Sequence, residues 1–85
     1  KVMQVQIGIM THYDEKVITN VETHEMALRH RILAAMSQVT EEDASDPDFR
    51  KNLAQIIKIE MNSLLEEYED FGGIEEVFFT DFVMQ

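Results

Sequence analysis

Eighty-five residues carry seventeen acidic against seven basic side chains, a formal charge of −10, with 45% apolar residues and no cysteine. That length gives one domain, and the apolar share suffices for a packed core, which argues against disorder. The missing thiols exclude disulfide staples and thiol chemistry, while the acidic excess repels phosphate backbones and anionic headgroups and argues against a nucleic-acid partner. No apolar run approaches the ~18–20 residues of a membrane span, and no signal peptide is visible. The chain starts on Lys1 rather than Met and leads almost directly into a strand pattern. It therefore reads as an excised domain, with any anchor or targeting segment upstream.

Residues 2–11, VMQVQIGIMT, alternate. Met3, Val5, Ile7 and Ile9 form one apolar face and Gln4, Gln6 and Gly8 the other, the pattern of a half-buried strand. Gly8 gives room for a neighbouring group to approach closely. Residues 12–22, HYDEKVITNVE, fit a helical turn over Asp14–Asn20 or a turn followed by a brief strand at Val17–Ile18; the helical turn is favoured.

From Thr23 to Val39 the period is helical, with Leu28, Ile32, Ala35, Met36 and Val39 on one face. Thr23 is the expected N-cap, and Glu25 sits where the helix dipole favours an acid. Met26 and Leu33 form a minor stripe off the core face, suited either to cover a sheet edge or to contact a neighbouring copy. Ser37–Asp46 reads as a polar connector. Asp46-Pro47 then resembles a cap followed by proline at the first helical position. The second helix runs to about Phe71 and stops at Gly72-Gly73, a left-handed turn signal. Its apolar residues, Phe49, Leu53, Ile56, Ile57, Met61, Leu64, Leu65, Tyr68 and Phe71, cover about half of the helical circumference, so this helix must touch two things.

The charges of this second helix oppose its own dipole. Arg50 and Lys51 lie in the first turn, and Glu66, Glu67, Glu69 and Asp70 in the last ones, each placement costing about 0.3–1 kcal/mol at low salt. Either Arg29 or Arg31 neutralises the acidic end within the molecule, or the two ends meet head-to-tail between copies. The final segment, Ile74–Met84, is apolar on both faces, with Val77, Phe79 and Val83 pointing one way and Phe78, Phe82 and Met84 the other. Such a strand is covered on both sides, or one face awaits a partner. An apolar terminus of this kind is expected to be pinned in a sheet.

Chemistry has little to work with. HEMALRH, residues 24–30, lacks the His-Glu-x-x-His spacing of a zinc helix, because the i+4 position is Leu28 and His30 is six residues from His24. Asp14/Glu15, Glu41/Glu42/Asp43 and Glu66/Glu67/Glu69/Asp70 read as solvated charges. EEDASDPD, residues 41–48, supplies oxygens without the glycine turn of a calcium loop. Gly72-Gly73 precedes neither a helix nor a lysine and is not a phosphate loop. No catalytic, cofactor or metal residues are expected.

VFFTDFVMQ resembles the C-terminal signature of the flagellar basal-body-associated FliL family, carried here by Phe79, Thr80, Phe82, Val83 and Gln85. VMQVQIGIM resembles the family's apolar strand, ALRHRILAAMSQVTEED its long helix and acidic connector, and DPDFRKNLAQIIKIEMNSLLEE its second helix. The family commonly has proline where this chain has His24-Glu25-Met26. The resemblance implies a periplasmic domain, similar to the stomatin–prohibitin type, of an inner-membrane protein whose transmembrane helix lies upstream. It implies association with stator units of the MotA/MotB or PomA/PomB type, and support of torque in swimming or swarming.

The expected fold is α+β, a sheet with two long helices packed on it in the order β-α-α-β. The expected function is that of a non-enzymatic, ring-forming motor component at the flagellar basal body. Its candidate self-association residues are Met26, Leu33, Arg50, Lys51, Glu66, Glu67, Glu69 and Asp70. The alternative is an acidic binding module that holds a basic partner or calcium without assembling.

Overall fold

The two apolar end segments find each other. In the computed structural model, which describes residues 2–85, β1 (Met3–Met10) and β2 (Glu76–Met84) form a two-stranded antiparallel sheet. Met3 pairs with Met84 and Met10 with Glu76. Reciprocal bonds between Val2 and Gln85, 2.9 and 2.8 Å, extend the ladder by one pair. Between the strands lie α1 (Asp14–Thr23), α2 (Glu25–Met36), α3 (Glu41–Ala44) and α4 (Phe49–Glu69). The fold is α+β, compatible with the expected β-α-α-β order but with two further short helices.

β2 departs from simple alternation. Gln6 faces Asp81 while Ile7 faces Phe79, so Thr80 is an extra residue, a β-bulge. The bulge resets the side-chain parity beyond it. Val77, Phe79 and Phe82 therefore all pack on the core, while Phe78 and Val83 are exposed. This corrects the expected grouping of Val83 with Val77 and Phe79, and of Phe78 with Phe82. Gly8 gives the close approach expected of it, since a Cβ there would lie 2.4 Å from the Phe78 ring.

The helical reading of Asp14–Asn20 holds and extends to Thr23, with Val17 fully buried. Thr23 is not an N-cap. It ends α1, and its hydroxyl donates to the Thr19 carbonyl at 2.9 Å. One non-helical residue, His24, separates α1 from α2 and caps neither with its side chain. Leu28 is buried, and Ile32 and Val39 pack against the same cluster. The connector contains α3, nucleated by a capping box in which the Asp43 N–H donates to the Thr40 hydroxyl and the Thr40 N–H to the Asp43 carboxylate, both 3.0 Å.

α4 begins at Phe49, two residues later than the proline suggested. Asp46 accepts from the Asp48 N–H at 2.8 Å, so Asp46-Pro47 forms a turn ahead of the helix. Its left-handed terminus is Asp70, φ 60°, rather than a glycine. An aspartate tolerates that conformation as a single residue, which leaves the glycines free for other duties. Phe49, Leu53, Ile57, Met61, Leu64 and Leu65 are buried, and α4 packs against both α2 and β2. Ile56 and Tyr68 of the expected apolar set are exposed.

The loop between α4 and β2 is held by side chains from distant elements. The Asn62 amide donates to the Ile74 carbonyl at 2.8 Å and accepts from the Ile74 N–H at 2.9 Å. The Thr11 hydroxyl donates to the Gly73 carbonyl at 2.8 Å. Gly72 is glycine because of this clamp, since a Cβ would lie 2.6 Å from Asn62 Oδ1. Asn62→Ala leaves both backbone groups of buried Ile74 without partners, a loss of about 1–3 kcal/mol. Each kcal/mol lowers the melting temperature of a domain this size by about 4–8 °C. Gly72→Ala is expected to destabilise by displacing the same amide, so the double variant should lose less than the sum. Additive losses in denaturant titrations would show that the two positions act separately.

Candidate functional site

Met26 and Leu33 project from α2 on the side opposite Leu28, 82% and 63% exposed. Both sit where a neighbouring molecule could reach them, and neither covers a sheet edge. At the first turn of α4, the Arg50 guanidinium lies 4.5 Å from the centroid of the Phe82 ring, a contact worth about 0.5–1 kcal/mol at an exposed site. Lys51 is exposed and has no ion-pair partner among the described residues.

The acidic end of α4 is partly neutralised within the molecule. Arg31 Nη2 approaches Glu67 Oε2 at 3.4 Å, while Arg29 bonds Glu25 on its own helix at 3.0 Å. Arg31 thus takes the part that the sequence left open between the two arginines, though an exposed pair of this length contributes about 0–1 kcal/mol. Glu69 Oε2 lies 2.6 Å from His24 Nε2, and the His24 ring stacks on Tyr68 with centroids 5.4 Å apart. Glu66 and Asp70 are exposed without ion-pair partners among the described residues. Of the eight candidates, three therefore make side-chain contacts inside the fold: Arg50, Glu67 and Glu69.

Two histidine–carboxylate partnerships had no local sequence signal. His24 binds a carboxylate 45 residues away, and His12 pairs with Glu75, 63 residues away, through both its ring Nδ1 and its backbone N–H. Together they tie the two ends of α1 to the end of α4 and the start of β2. His24 is accordingly a half-buried joint to the end of α4.

Of the C-terminal residues Phe79, Thr80, Phe82, Val83 and Gln85, the two phenylalanines pack against the core. Phe79 and Phe82 meet edge to face at 5.2 Å, and Phe82 meets Phe49 at 6.0 Å. Thr80 is the bulge, Val83 lies on the outer face, and the Gln85 backbone closes the ladder. An open groove of about 600 Å³ runs between α4 and the end of β2, lined by Asp46, Pro47, Phe49, Arg50, Phe82 and Met84 among others. It brings together no nucleophile and base, and its one guanidinium is seated on a ring. Among the described residues, no three His, Cys, Asp or Glu side chains converge as metal ligands. Glu41, Glu42 and Asp43 are exposed, with Asp43 engaged in capping α3.

Comparison with known proteins gives this surface a context. The family described as "Flagellar basal body-associated protein FliL" matches residues 1–85. The chain is also similar to the "Flagellar protein FliL" of Aquifex aeolicus (strain VF5), with 29% identity over 72 residues. That match covers 85% of this chain and 42% of the relative.

Zinc, calcium and a chelator are each expected to leave the melting temperature unchanged. A saturable rise at micromolar metal, the signature of a ligand that binds the native state, would instead identify the acids of α3 as ligands.

Proposed function

Because the chain belongs to the FliL family of flagellar basal body-associated proteins, we propose that it is the periplasmic domain of a membrane-anchored, non-enzymatic motor component. In this reading a transmembrane segment upstream fixes it in the bacterial inner membrane, and copies assemble into a ring, as in stomatin-like proteins. The ring stands at stator units of the MotA/MotB or PomA/PomB type and supports torque in swimming or swarming. The observation that carries the reading is the family match over the whole chain. The surface adds support. Large apolar side chains are exposed on α2, α4 and β2, and Met26 and Leu33 share one face of α2.

Self-association through Met26 and Leu33, together with the charges at the two ends of α4, follows from the same reading. Lys51 at one end and Glu66 and Asp70 at the other are unfavourably placed against the dipole, and a neighbouring copy can supply the opposite charge to each. Cross-linking in motile cells, probing self-contacts and stator contacts together, tests the function directly. Self-contacts without stator contacts would remove the stator from this account, and neither would remove both.

Reversing Arg50 and Lys51 to Glu is expected to weaken self-association and motility at low salt while the domain stays folded. Changing Glu66 and Asp70 to Lys in the same chain should restore part of both. Normal assembly of the first double variant would show that this charge contact does not build the ring.

A further inference from the structure

Each strand of a two-stranded sheet has one free edge, and the two edges here are built differently. β2 carries Glu76 and Asp81 and is interrupted by the bulge at Thr80. Charges and kinks of this kind ordinarily keep a sheet edge from pairing further. β1, MQVQIGIM, has no charge, no proline and no bulged residue of its own.

The bonds that β1 makes show which groups its free edge presents. Val2 exchanges both of its bonds with Gln85, and the Met10 carbonyl accepts from the Glu75 N–H at 2.9 Å. The even positions therefore bond toward β2. Alternation turns the N–H and C=O groups of Met3, Val5, Ile7 and Ile9 to the free side. None of these groups is hydrogen-bonded to another described residue. The side chains of the same four residues line the inner side of the sheet. Met3, Ile7 and Ile9 reach the core, and Val5 is half-buried without joining it. At the start of the strand, a mainly apolar cleft of about 260 Å³ opens between Val2, Met3, Met36 and Val39.

Such an edge specifies its occupant. Donors and acceptors repeated along a main chain are matched by another extended backbone, with alternate side chains supplying specificity. β1 offers about 27 Å at 3.4 Å per residue. Its inner side is apolar at every second position, so a guest strand needs apolar residues in the same alternation. The residues between them meet a different environment. Asp81 is exposed opposite Gln6, two strand spacings, ~10 Å, from a guest. The molecule as a whole carries −10, which attracts bases on a guest and repels acids. A second copy brings no opposite charge, since its β1 is uncharged and its body carries the same −10.

We propose that the free edge of β1 takes an extended segment of another protein as a third strand, apolar at alternate positions with Lys or Arg between them. The inference concerns a partner rather than the assembly of copies, so it stands or falls apart from the ring.

The probe is a short synthetic peptide alternating valine with lysine and threonine, added to the isotope-labelled chain. It should slow hydrogen exchange of the Val5, Ile7 and Ile9 amides at least about tenfold. The same peptide N-methylated at its valines should not. Val5→Pro removes an N–H that points away from β2, keeps the ladder bonds, and should weaken binding of the unmodified peptide. Should that variant fail to fold, the N-methylated peptide still decides. Binding undiminished by N-methylation would mean that an apolar face holds the peptide, and the proposal falls. Protection of the same amides that rises with the chain's own concentration, without peptide, would make the occupant a second copy and overturn it equally. A peptide with glutamate for lysine that binds as tightly would overturn the basic partner. No protection at millimolar peptide would overturn the docking edge itself.

Discussion

The pairing of the chain's two ends is the constraint on which the rest of the structure depends. β1 and β2 come from opposite ends of the sequence, and Met10 meets Glu76 across the whole helical region. A lone pair of strands is marginal in water, and here its inner side joins a core to which α4 contributes Phe49, Leu53, Ile57, Met61 and Leu65. The Asn62 amide then fixes the height at which β2 leaves the helix, by holding both backbone groups of Ile74. Thr11 does the same from the end of β1 through Gly73. The loop is therefore bonded from both layers, and the register of the sheet is set relative to the helix.

Within that frame, the bulge at Thr80 decides what the terminal strand presents. Strict alternation would put Phe79 and Phe82 on opposite faces. The extra residue returns Phe82 to the core side, where it joins Phe79 and Phe49 and receives Arg50 on its ring. The same step leaves Phe78 and Val83 on the outer face. One inserted residue thus both completes the core and creates the exposed apolar strip.

The sequence was legible where a period was long and unbroken. The alternation of MQVQIGIM, the core face of α2 around Leu28 and Ile32, and the buried row of α4 all follow from spacing alone, as does Gly8 as a point of close approach. The break between α1 and α2 was legible to within one residue, since a helical turn was read over Asp14–Asn20 and a new helix capped by Thr23, whereas the observed cap position is His24. Asp70 took the left-handed position that ends α4, Gly73 takes a second one in the loop, φ 80°, and Gly72 packs closely on Asn62. The bulge was hidden because it depends on pairing across more than sixty residues rather than on any local pattern. Of the candidate surface, Met26 and Leu33 could be found as residues off the core phase. The pairing of Glu67 with Arg31 and Glu69 with His24 required the packing of α2 on α4 to be known.

These intramolecular pairs change the meaning of the charge order along α4. In an isolated helix, four acids near the carboxyl end would all oppose the dipole. In the folded domain Arg31 of α2 and His24, just ahead of α2, contact Glu67 and Glu69, while Glu66 and Asp70 stay exposed without ion-pair partners among the described residues. The same packing leaves α2 with its basic side chains at the flanks of an uncharged outer face. A helix that neutralises its neighbour on one side and shows an apolar stripe on the other is doing two jobs with one sequence. The first stabilises the single molecule. The second leaves Met26 and Leu33 in water in the single molecule, where a surface that removed them from it would gain an apolar contact.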